Sequence, residues 1–233
     1  YLLAQGKVCS FDLYQEKFTI LIEKDVRSLF CEQDTLWAAC KDGIYYYTEQ
    51  EKKLVRFTQF PPQFYQATHL YVKNDTIWAI SPARLSAIPR KEPSGQTKLA
   101  SFNNDAKCLF VDHSNNVWIG SWSGVYRFSP SQNIITHYTN ARGELSHNQI
   151  RCINEDNSGN IWIGTQSGLY FFHAATRELS PYPIGGHDNQ KYDIRSLLLD
   201  GDHLWIGTYA KGIRVVNLRT GAVKVYTHSR GIP

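Results

Sequence analysis

The chain has 233 residues, of which 42% are hydrophobic and 13% aromatic, and its 25 basic and 21 acidic residues give a formal net charge of only +4. This is enough apolar side chain to bury a substantial core, which excludes a disordered chain, and the weak charge gives no reason to expect nucleic acid as a partner. The five cysteines are odd in number and form no CxxC pair, which excludes a complete disulfide framework and a zinc site. We therefore expect a globular protein without a metal ion or another cofactor.

The chain opens on an incomplete repeat. Tyr1 stands where the later repeats have a tryptophan, and Gly6 and Val8 match Gly43 and Ile44 of the next repeat. Residues 1–21 therefore predict three strands of a four-stranded unit whose first strand is missing. Apolar runs in the chain are far shorter than the roughly 20 residues that cross a bilayer, and the first residues show no signal-peptide pattern.

One sequence block then recurs with a tryptophan at a fixed position. Its clear copies are DTLWAACKDGIYYY, NVWIGSWSGVYRFS, NIWIGTQSGLYFFH and HLWIGTYAKGIRVV, and DTIWAISPARLSAI is a degraded copy. The tryptophans follow one another at intervals of 40 to 44 residues, which is the period of a β-propeller blade. They are Trp37, Trp78, Trp118, Trp162 and Trp205. We expect all five to be buried between neighbouring blades, because a large flat side chain at mid-strand gives an apolar packing face.

The strands of one unit are clearest around Trp162. Apolar patterns predict strand A at 150–155, strand B at 161–165 and strand C at 169–173, with an outer strand D that includes Tyr182. Residues 156–160 (DNSGN) link strands A and B, and their Asn, Ser and Gly residues accept tight-turn dihedrals.

The chain is thus predicted to be all-β, a β-propeller of four-stranded antiparallel blades with about five and a half blades present. Residues 1–21 form a partial blade, and residues 229–233 begin a further repeat. The five whole blades span approximately 22–60, 61–101, 102–141, 142–185 and 186–228. An open run of blades leaves apolar faces uncovered, so we expect the natural protein to continue in one or both directions.

The string INEDNSGNIWIGTQSGLYFF, followed by a polar turn, an aromatic outer strand and a lead-in similar to GELSHNQI, resembles the two-component regulator propeller repeat. The resemblance covers nearly the whole chain. It is specific around Trp118, Trp162 and Trp205, looser at Trp37, and poor at Trp78, where SPARL replaces the glycine turn.

Such repeats form the extracytoplasmic sensor of bacterial hybrid two-component systems, in which two seven-bladed propellers precede an immunoglobulin-like domain, a membrane helix, a histidine kinase and a DNA-binding output. The resemblance implies that the chain is a fragment of a seven-bladed propeller in the periplasm. It also implies that this part is not an enzyme, that it binds an oligosaccharide, and that it signals to a kinase elsewhere in the receptor. The rest of its own propeller and receptor chain are then its partners, and a homodimer remains open.

Ligand contacts are expected on one face of the blades. Successive strands run antiparallel, so the B–C turns and the D–A connections of every blade emerge on the same side. These segments carry variable polar and aromatic residues on a rigid scaffold, which is where binding residues usually lie. The candidates are Phe64, Tyr65, Trp122, Gln166, Tyr209 and Lys211.

A basic or titratable residue also recurs near the start of strand A. Aligned on the tryptophans, these candidates are Arg27, His69, Lys107, Arg151 and Arg195. The innermost strand lines the channel of a propeller, so we expect a ring of cations at the channel mouth that favours a carboxylate or sulfate group on the oligosaccharide. Alternatively, each pairs with backbone carbonyls or with acids such as Glu155 and Asp156, and the ring is structural.

Two other functions remain open. A propeller lyase assembles its site from distant loops that motifs do not reveal, and Glu144 and His147 on one D–A loop are the pair to test for acid–base chemistry. The strings GSWSG and GTQSG lack the central serine of a nucleophile elbow, so no catalytic residue is predicted. A protein-binding scaffold is the third class.

Overall fold

The computed structural model describes residues 2–4, 7–12, 14–48, 50, 53–57, 66–81, 84–91, 97–101, 105–185 and 191–227. These residues form antiparallel sheets and one short 3-10 helix, Asn140–Arg142, and no α-helix occurs among them. None of them builds a helix long and apolar enough to cross a membrane. The chain divides into two compact units, residues 1–104 (unit 1) and 105–233 (unit 2). The all-β prediction is confirmed.

Unit 1 contains three sheets in which strands adjacent in sequence pair with each other. Sheet 1 consists of β1 (Leu2–Ala4), β2 (Lys7–Asp12) and β3 (Lys17–Glu23). Sheet 2 consists of β4 (Val26–Glu32), β5 (Thr35–Cys40), β6 (Gly43–Thr48) and β7 (Leu54–Arg56). Sheet 3 consists of β8 (His69–Lys73), β9 (Thr76–Ser81), β10 (Arg84–Pro89) and β11 (Thr97–Ser101).

Unit 2 repeats this meander three times. Sheet 4 consists of β12 (Ala106–Val111), β13 (Val117–Ser121), β14 (Val125–Ser129) and β15 (Ile134–Tyr138). Sheet 5 consists of β16 (Ile150–Glu155), β17 (Ile161–Thr165), β18 (Gly168–Phe172) and β19 (Leu179–Tyr182). Sheet 6 consists of β20 (Ile194–Asp200), β21 (His203–Thr208), β22 (Ile213–Asn217) and β23 (Val223–Tyr226). One three-stranded and five four-stranded sheets agree with the predicted three strands plus five whole blades.

Within each unit, the tryptophan of one sheet packs against the next sheet in sequence. Trp118 of sheet 4 lies in a buried cluster with Ile150 of sheet 5. Trp162 of sheet 5 lies in the corresponding cluster with Ile194 of sheet 6. In unit 1, Trp37 packs into sheet 3 in the same way. Burial of such large side chains, each worth a few kcal/mol, holds neighbouring sheets face to face.

The prediction that all five tryptophans are buried is wrong for Trp205. The other four expose 7% or less of their surface, whereas Trp205 exposes 36%. Instead of packing under a further sheet, it stacks on Tyr226 of its own sheet, with ring centroids 6.2 Å apart. Its cross-strand neighbour Leu198 is 61% exposed. Trp205 and Leu198 therefore form an exposed apolar patch on sheet 6.

The five cysteines differ in burial, since Cys40 is buried, Cys31 is exposed, and Cys9, Cys108 and Cys152 are partly buried. In sheet 5, Cys152 Sγ fills the space above Gly164 together with Ile194 of sheet 6. Burial raises the pKa of Cys108 to about 12 and also raises the pKa of Cys152. Both thiols therefore stay protonated at neutral pH, where only a thiolate reacts readily.

We expect a disulfide reagent such as DTNB to label Cys31 quickly in the folded protein, and to label Cys108 and Cys152 only after denaturation. Mass spectrometry of the labelled peptides distinguishes the sites. Cys31→Ser is the control, since it should remove the fast label. Fast labelling of Cys152 in the folded protein would contradict the packing between sheets 5 and 6.

Candidate functional site

The first strands of four sheets carry a β-bulge at a basic residue. In sheet 5, Arg151 lies between the pairs Ile150↔Thr165 and Cys152↔Gly164 and has no opposite partner on β17. The same register shift occurs at the equivalent positions of sheets 2, 4 and 6, which are Arg27, Lys107 and Arg195. A bulge redirects the extra side chain and is common beside functional sites. We call these four residues the bulge cations.

His69 does not share the position of the bulge cations, contrary to the sequence alignment. It pairs directly with Ile80 of β9. In the other four sheets, the bulge cation precedes by three residues the residue that faces the tryptophan across the strands. In sheet 3, Tyr71 faces Trp78, and three residues before it is Thr68. The equivalent of Arg27 is therefore a threonine, and the spacing to the tryptophan was misaligned by one residue.

Arg27 is the bulge cation of unit 1. The side chain of Arg27 is exposed, and its Nη1 lies 3.5 Å from the carbonyl oxygen of Gln66, just before sheet 3. Thr68 Oγ1 lies 3.3 Å from the carbonyl of Ile80 and 3.1 Å from His69 Nδ1. The predicted aromatic residues Phe64 and Tyr65 lie outside the described residues.

In unit 2, two bulge cations lie over exposed aromatic rings. Lys107 Nζ is 4.2 Å from the ring centroid of Trp122, and the guanidinium carbon of Arg195 is 4.8 Å from that of Tyr209. Trp122 and Tyr209 directly follow the second strands of sheets 4 and 6, and they are 51% and 65% exposed. Cation–π contacts of this kind stabilise by about 0.5–1 kcal/mol at exposed sites. Each pair therefore presents one charged and one flat apolar surface to solvent.

Sheet 5, the middle sheet of unit 2, has no aromatic ring at the corresponding turn position. Gln166 follows β17 at the position of Trp122 and Tyr209, and its N–H donates to the carbonyl of Gln149 at 3.0 Å. Tyr209 N–H donates to Asp193 in the same way at 2.8 Å. These bonds tie each turn residue to the residue that precedes the first strand, which fixes its place at the sheet edge.

The first strands β12, β16 and β20 pack side by side, so equivalent positions line one edge of unit 2. This edge, which we call the rim, brings together six of the predicted site residues. They are Lys107, Arg151, Arg195, Trp122, Gln166 and Tyr209. Lys211 contacts the connection before β20, since its Nζ lies 3.4 Å from the carbonyl of Lys191 and 4.9 Å from the ring centroid of Tyr192.

One carboxylate lies between two cations of the rim. Asp193 Oδ2 accepts a hydrogen bond from Arg195 Nη2 at 2.7 Å, and Asp193 Oδ1 lies 3.5 Å from Arg151 Nε. The second contact lacks hydrogen-bond geometry, since both atoms are buried without a hydrogen-bond partner among the described residues. Two guanidinium groups therefore share a single acid, and this cluster keeps a net positive charge.

The acids that were considered as structural partners of the bulge cations are engaged elsewhere. Glu155 accepts hydrogen bonds from the backbone N–H of His113 and lies 2.7 Å from His113 Nδ1. Asp156 accepts a hydrogen bond from Trp162 Nε1 at 3.0 Å and others from Asn160. Asp193, which was not among the predicted residues, is the acid that contacts Arg151 and Arg195.

The pair considered for acid–base chemistry is held by its own loop. Glu144 Oε2 accepts a hydrogen bond from Thr139 N–H at 2.8 Å. His147 Nδ1 accepts one from Gln149 N–H at 3.2 Å. These contacts give both side chains a role in shaping the connection between sheets 4 and 5.

Comparisons with known proteins agree with a propeller built from repeated sheets. The family model described as two component regulator propeller matches residues 144–167, which run from the loop before β16 to the turn after β17. A search of the curated proteins gave no match.

Three solved structures illustrate the shared fold. An extracellular domain assigned to one component system BT4673 of B. thetaiotaomicron has a TM-score of 0.71 at 12% identity, over 92% of this chain and 32% of its own. An extracellular domain assigned to hybrid two component system BT3049 of that organism has a TM-score of 0.63 at 18% identity, over 85% and 29%. Virginiamycin B lyase from Staphylococcus aureus has a TM-score of 0.70 at 14% identity, over 95% and 77%.

At these identities the comparisons show a common fold, and the chain spans about a third of the length of the two extracellular domains. The chain therefore has a β-propeller fold, and its residues 144–167 match the two component regulator propeller repeat.

Proposed function

We propose that this chain is the ligand-sensing propeller of a periplasmic receptor, and that it binds an oligosaccharide without altering it. The observation that carries the proposal is the rim, where the exposed rings of Trp122 and Tyr209 each lie beside a cation on a rigid sheet edge. A sugar ring has an apolar face that packs on an aromatic ring, and the surrounding polar groups fix its orientation.

The sensor role is supported by the matched repeat and by the fold shared with extracellular domains of signalling systems. The chain itself supplies the recognition surface. A kinase that receives the signal would lie elsewhere in the full receptor, as would the membrane anchor. Such a receptor regulates polysaccharide use when the bound oligosaccharide is a breakdown product of that polysaccharide.

The charge of the rim favours an acidic oligosaccharide. Lys107, Arg151 and Arg195 contribute three cations, and Asp193 is the acid in contact with two of them. A carboxylate or sulfate group on the sugar can accept charge-assisted hydrogen bonds from the guanidinium groups, which are stronger than bonds between neutral groups. Neutral sugars would use only the aromatic rings and Gln166.

The test is calorimetric titration of the purified protein with oligosaccharides that contain uronic acid, sulfated sugars or neutral sugars only. We expect saturable binding of an acidic ligand and recovery of that ligand unchanged by chromatography. Affinity should fall as salt rises from 0.1 to 1 M, because the Debye length shrinks from about 10 Å to about 3 Å. Tight binding of neutral sugars with no salt dependence would refute the acidic preference.

The same experiment distinguishes two alternative functions, a propeller lyase and a protein-binding scaffold. Because virginiamycin B lyase shares the fold, a cleaved or eliminated product in the chromatogram would make a propeller lyase the leading function. No binding across the whole panel would favour a protein-binding scaffold, for which the exposed apolar face of sheet 6 around Trp205 is the candidate surface. A homodimer formed through that face would be seen by sedimentation.

A further inference from the structure

A polar pocket lies between sheets 4 and 5 of unit 2. It has a volume of about 210 Å³ and is lined mainly by the A–B and C–D turns, at the end of the sheets opposite the rim. The residues that carry the following argument are Asp112, Asn116, Arg127, Ser129, Ser131 and Arg177. This volume is below the roughly 300–1,000 Å³ of pockets for larger organic ligands, so it suits an ion or one charged group.

Arg127 departs from the pattern of the repeat. It lies on β14 directly across from Trp118. The residues that face the tryptophan in the other four-stranded sheets are uncharged, and they are Tyr46, Ala87, Phe171 and Val215. A charge in a partly buried position costs desolvation energy that a tyrosine or phenylalanine avoids. Arg127 therefore needs compensating contacts that the uncharged residues of the other sheets do not need.

The surroundings of Arg127 leave part of its hydrogen-bonding capacity unused. Its guanidinium carbon lies 5.5 Å from the ring centroid of Trp118 and 5.6 Å from that of Phe172. Its Nε is buried and has no hydrogen-bond partner within the part of the chain that the structure describes. A buried donor without a partner is costly, and a bound acceptor would remove that cost.

Among the described residues that line the pocket, one has a carboxylate, and it accepts four hydrogen bonds from neutral groups. Asp112 Oδ1 accepts hydrogen bonds from the backbone and side-chain nitrogens of Asn116, and Asp112 Oδ2 accepts from Asn116 Nδ2 and from Trp118 Nε1 at 2.8 Å each. Arg177, from the turn between β18 and β19 of sheet 5, lines the opposite wall. Two guanidinium groups against one carboxylate leave the pocket with a net positive charge.

We propose that this pocket binds a tetrahedral oxyanion, a sulfate or phosphate group, between Arg127 and Arg177. The hydroxyls of Ser129 and Ser131, whose oxygens are 3.3 Å apart, line the same space and provide further donors. The group is either a free ion or a substituent on a sugar. This site is separate from the rim and stands whether or not the rim binds an oligosaccharide.

The test is calorimetric titration with sodium sulfate and sodium phosphate, with sodium chloride at equal ionic strength as the reference. We expect saturable binding that weakens at least tenfold in Arg177→Gln, a change on an exposed turn that leaves the core intact. Arg127→Phe should have the same effect, and it should fold because phenylalanine occupies the equivalent position of sheet 5.

Arg219→Gln is the matched control. Arg219 lies in the corresponding turn of sheet 6, but its Nε is paired with Asp202 at 2.7 Å, so its loss should leave anion binding unchanged. A sulfated monosaccharide that binds more tightly than inorganic sulfate would identify the group as a sugar substituent, and equal affinity would identify a free ion. Absence of saturable binding, or equal weakening by Arg219→Gln, would overturn the proposal.

Discussion

Replacing Trp162 by alanine is expected to lower the free energy of unfolding of unit 2 by about 3–5 kcal/mol, the usual cost of truncating a large buried aromatic side chain. Trp162 exposes 2% of its surface and packs against Phe171, with ring centroids 4.7 Å apart. Its indole N–H donates to Asp156, so the substitution also removes one hydrogen bond to a buried carboxylate that Asn160 continues to contact. The cavity would open between sheets 5 and 6.

Trp205→Ala is the matched control, because it truncates the same residue type at the same strand position one sheet later. Because 36% of the surface of Trp205 is exposed, its replacement should lower the free energy of unfolding by less than about 1.5 kcal/mol. Urea denaturation followed by far-ultraviolet circular dichroism measures both changes. Equal losses in the two variants would contradict the view that Trp162 is covered by sheet 6 while Trp205 is not covered.

The strands could be predicted because their pattern is local. β16 and β17 begin and end at the predicted residues, since alternating apolar side chains are interrupted there by the turn DNSGN. The burial of each tryptophan is not local, because it depends on whether another sheet packs over it. The strand around Trp205 has the same sequence pattern as that around Trp162, so the exposure of Trp205 could not be inferred from it.

The candidate site could be predicted only where its residues recur at a fixed place in the repeat. Recurrence of a basic residue identified the bulge cations in four sheets. Spacing to the tryptophan could not show that His69 lies one residue beyond the equivalent position in sheet 3, which Thr68 occupies. Asp193 and Arg195 are two residues apart in sequence, but the contact of Asp193 with Arg151 depends on how sheets 5 and 6 meet, which no single repeat reveals. Arg127 was detectable in the sequence. When the third strands of the sheets are aligned, it is the charged residue at a position where the other four-stranded sheets have uncharged residues.

The largest expected effect on binding concerns the rim. Arg195→Ala should weaken the affinity for an acidic oligosaccharide by about tenfold to hundredfold, since a hydrogen bond to a charged group contributes about 1.5–3 kcal/mol. Arg195 is exposed enough to reach a ligand and also lies over Tyr209, so its loss removes one charge and frees one ring. Tyr209→Ala should weaken the binding of both acidic and neutral sugars, because it removes the ring on which a sugar would stack.

Lys224→Ala is the control for charge. Lys224 is an exposed cation on β23, which two strands separate from β20 in the same sheet. It lowers the net charge by the same one unit as Arg195→Ala and should leave affinity nearly unchanged once salt screens long-range effects. Calorimetry at 0.15 M salt on the three variants separates a specific contact from a general loss of charge. Unchanged affinity in both Arg195→Ala and Tyr209→Ala would show that the rim cations serve only to hold Asp193 and the sheet edges together, and recognition would then have to be sought on the remaining loops.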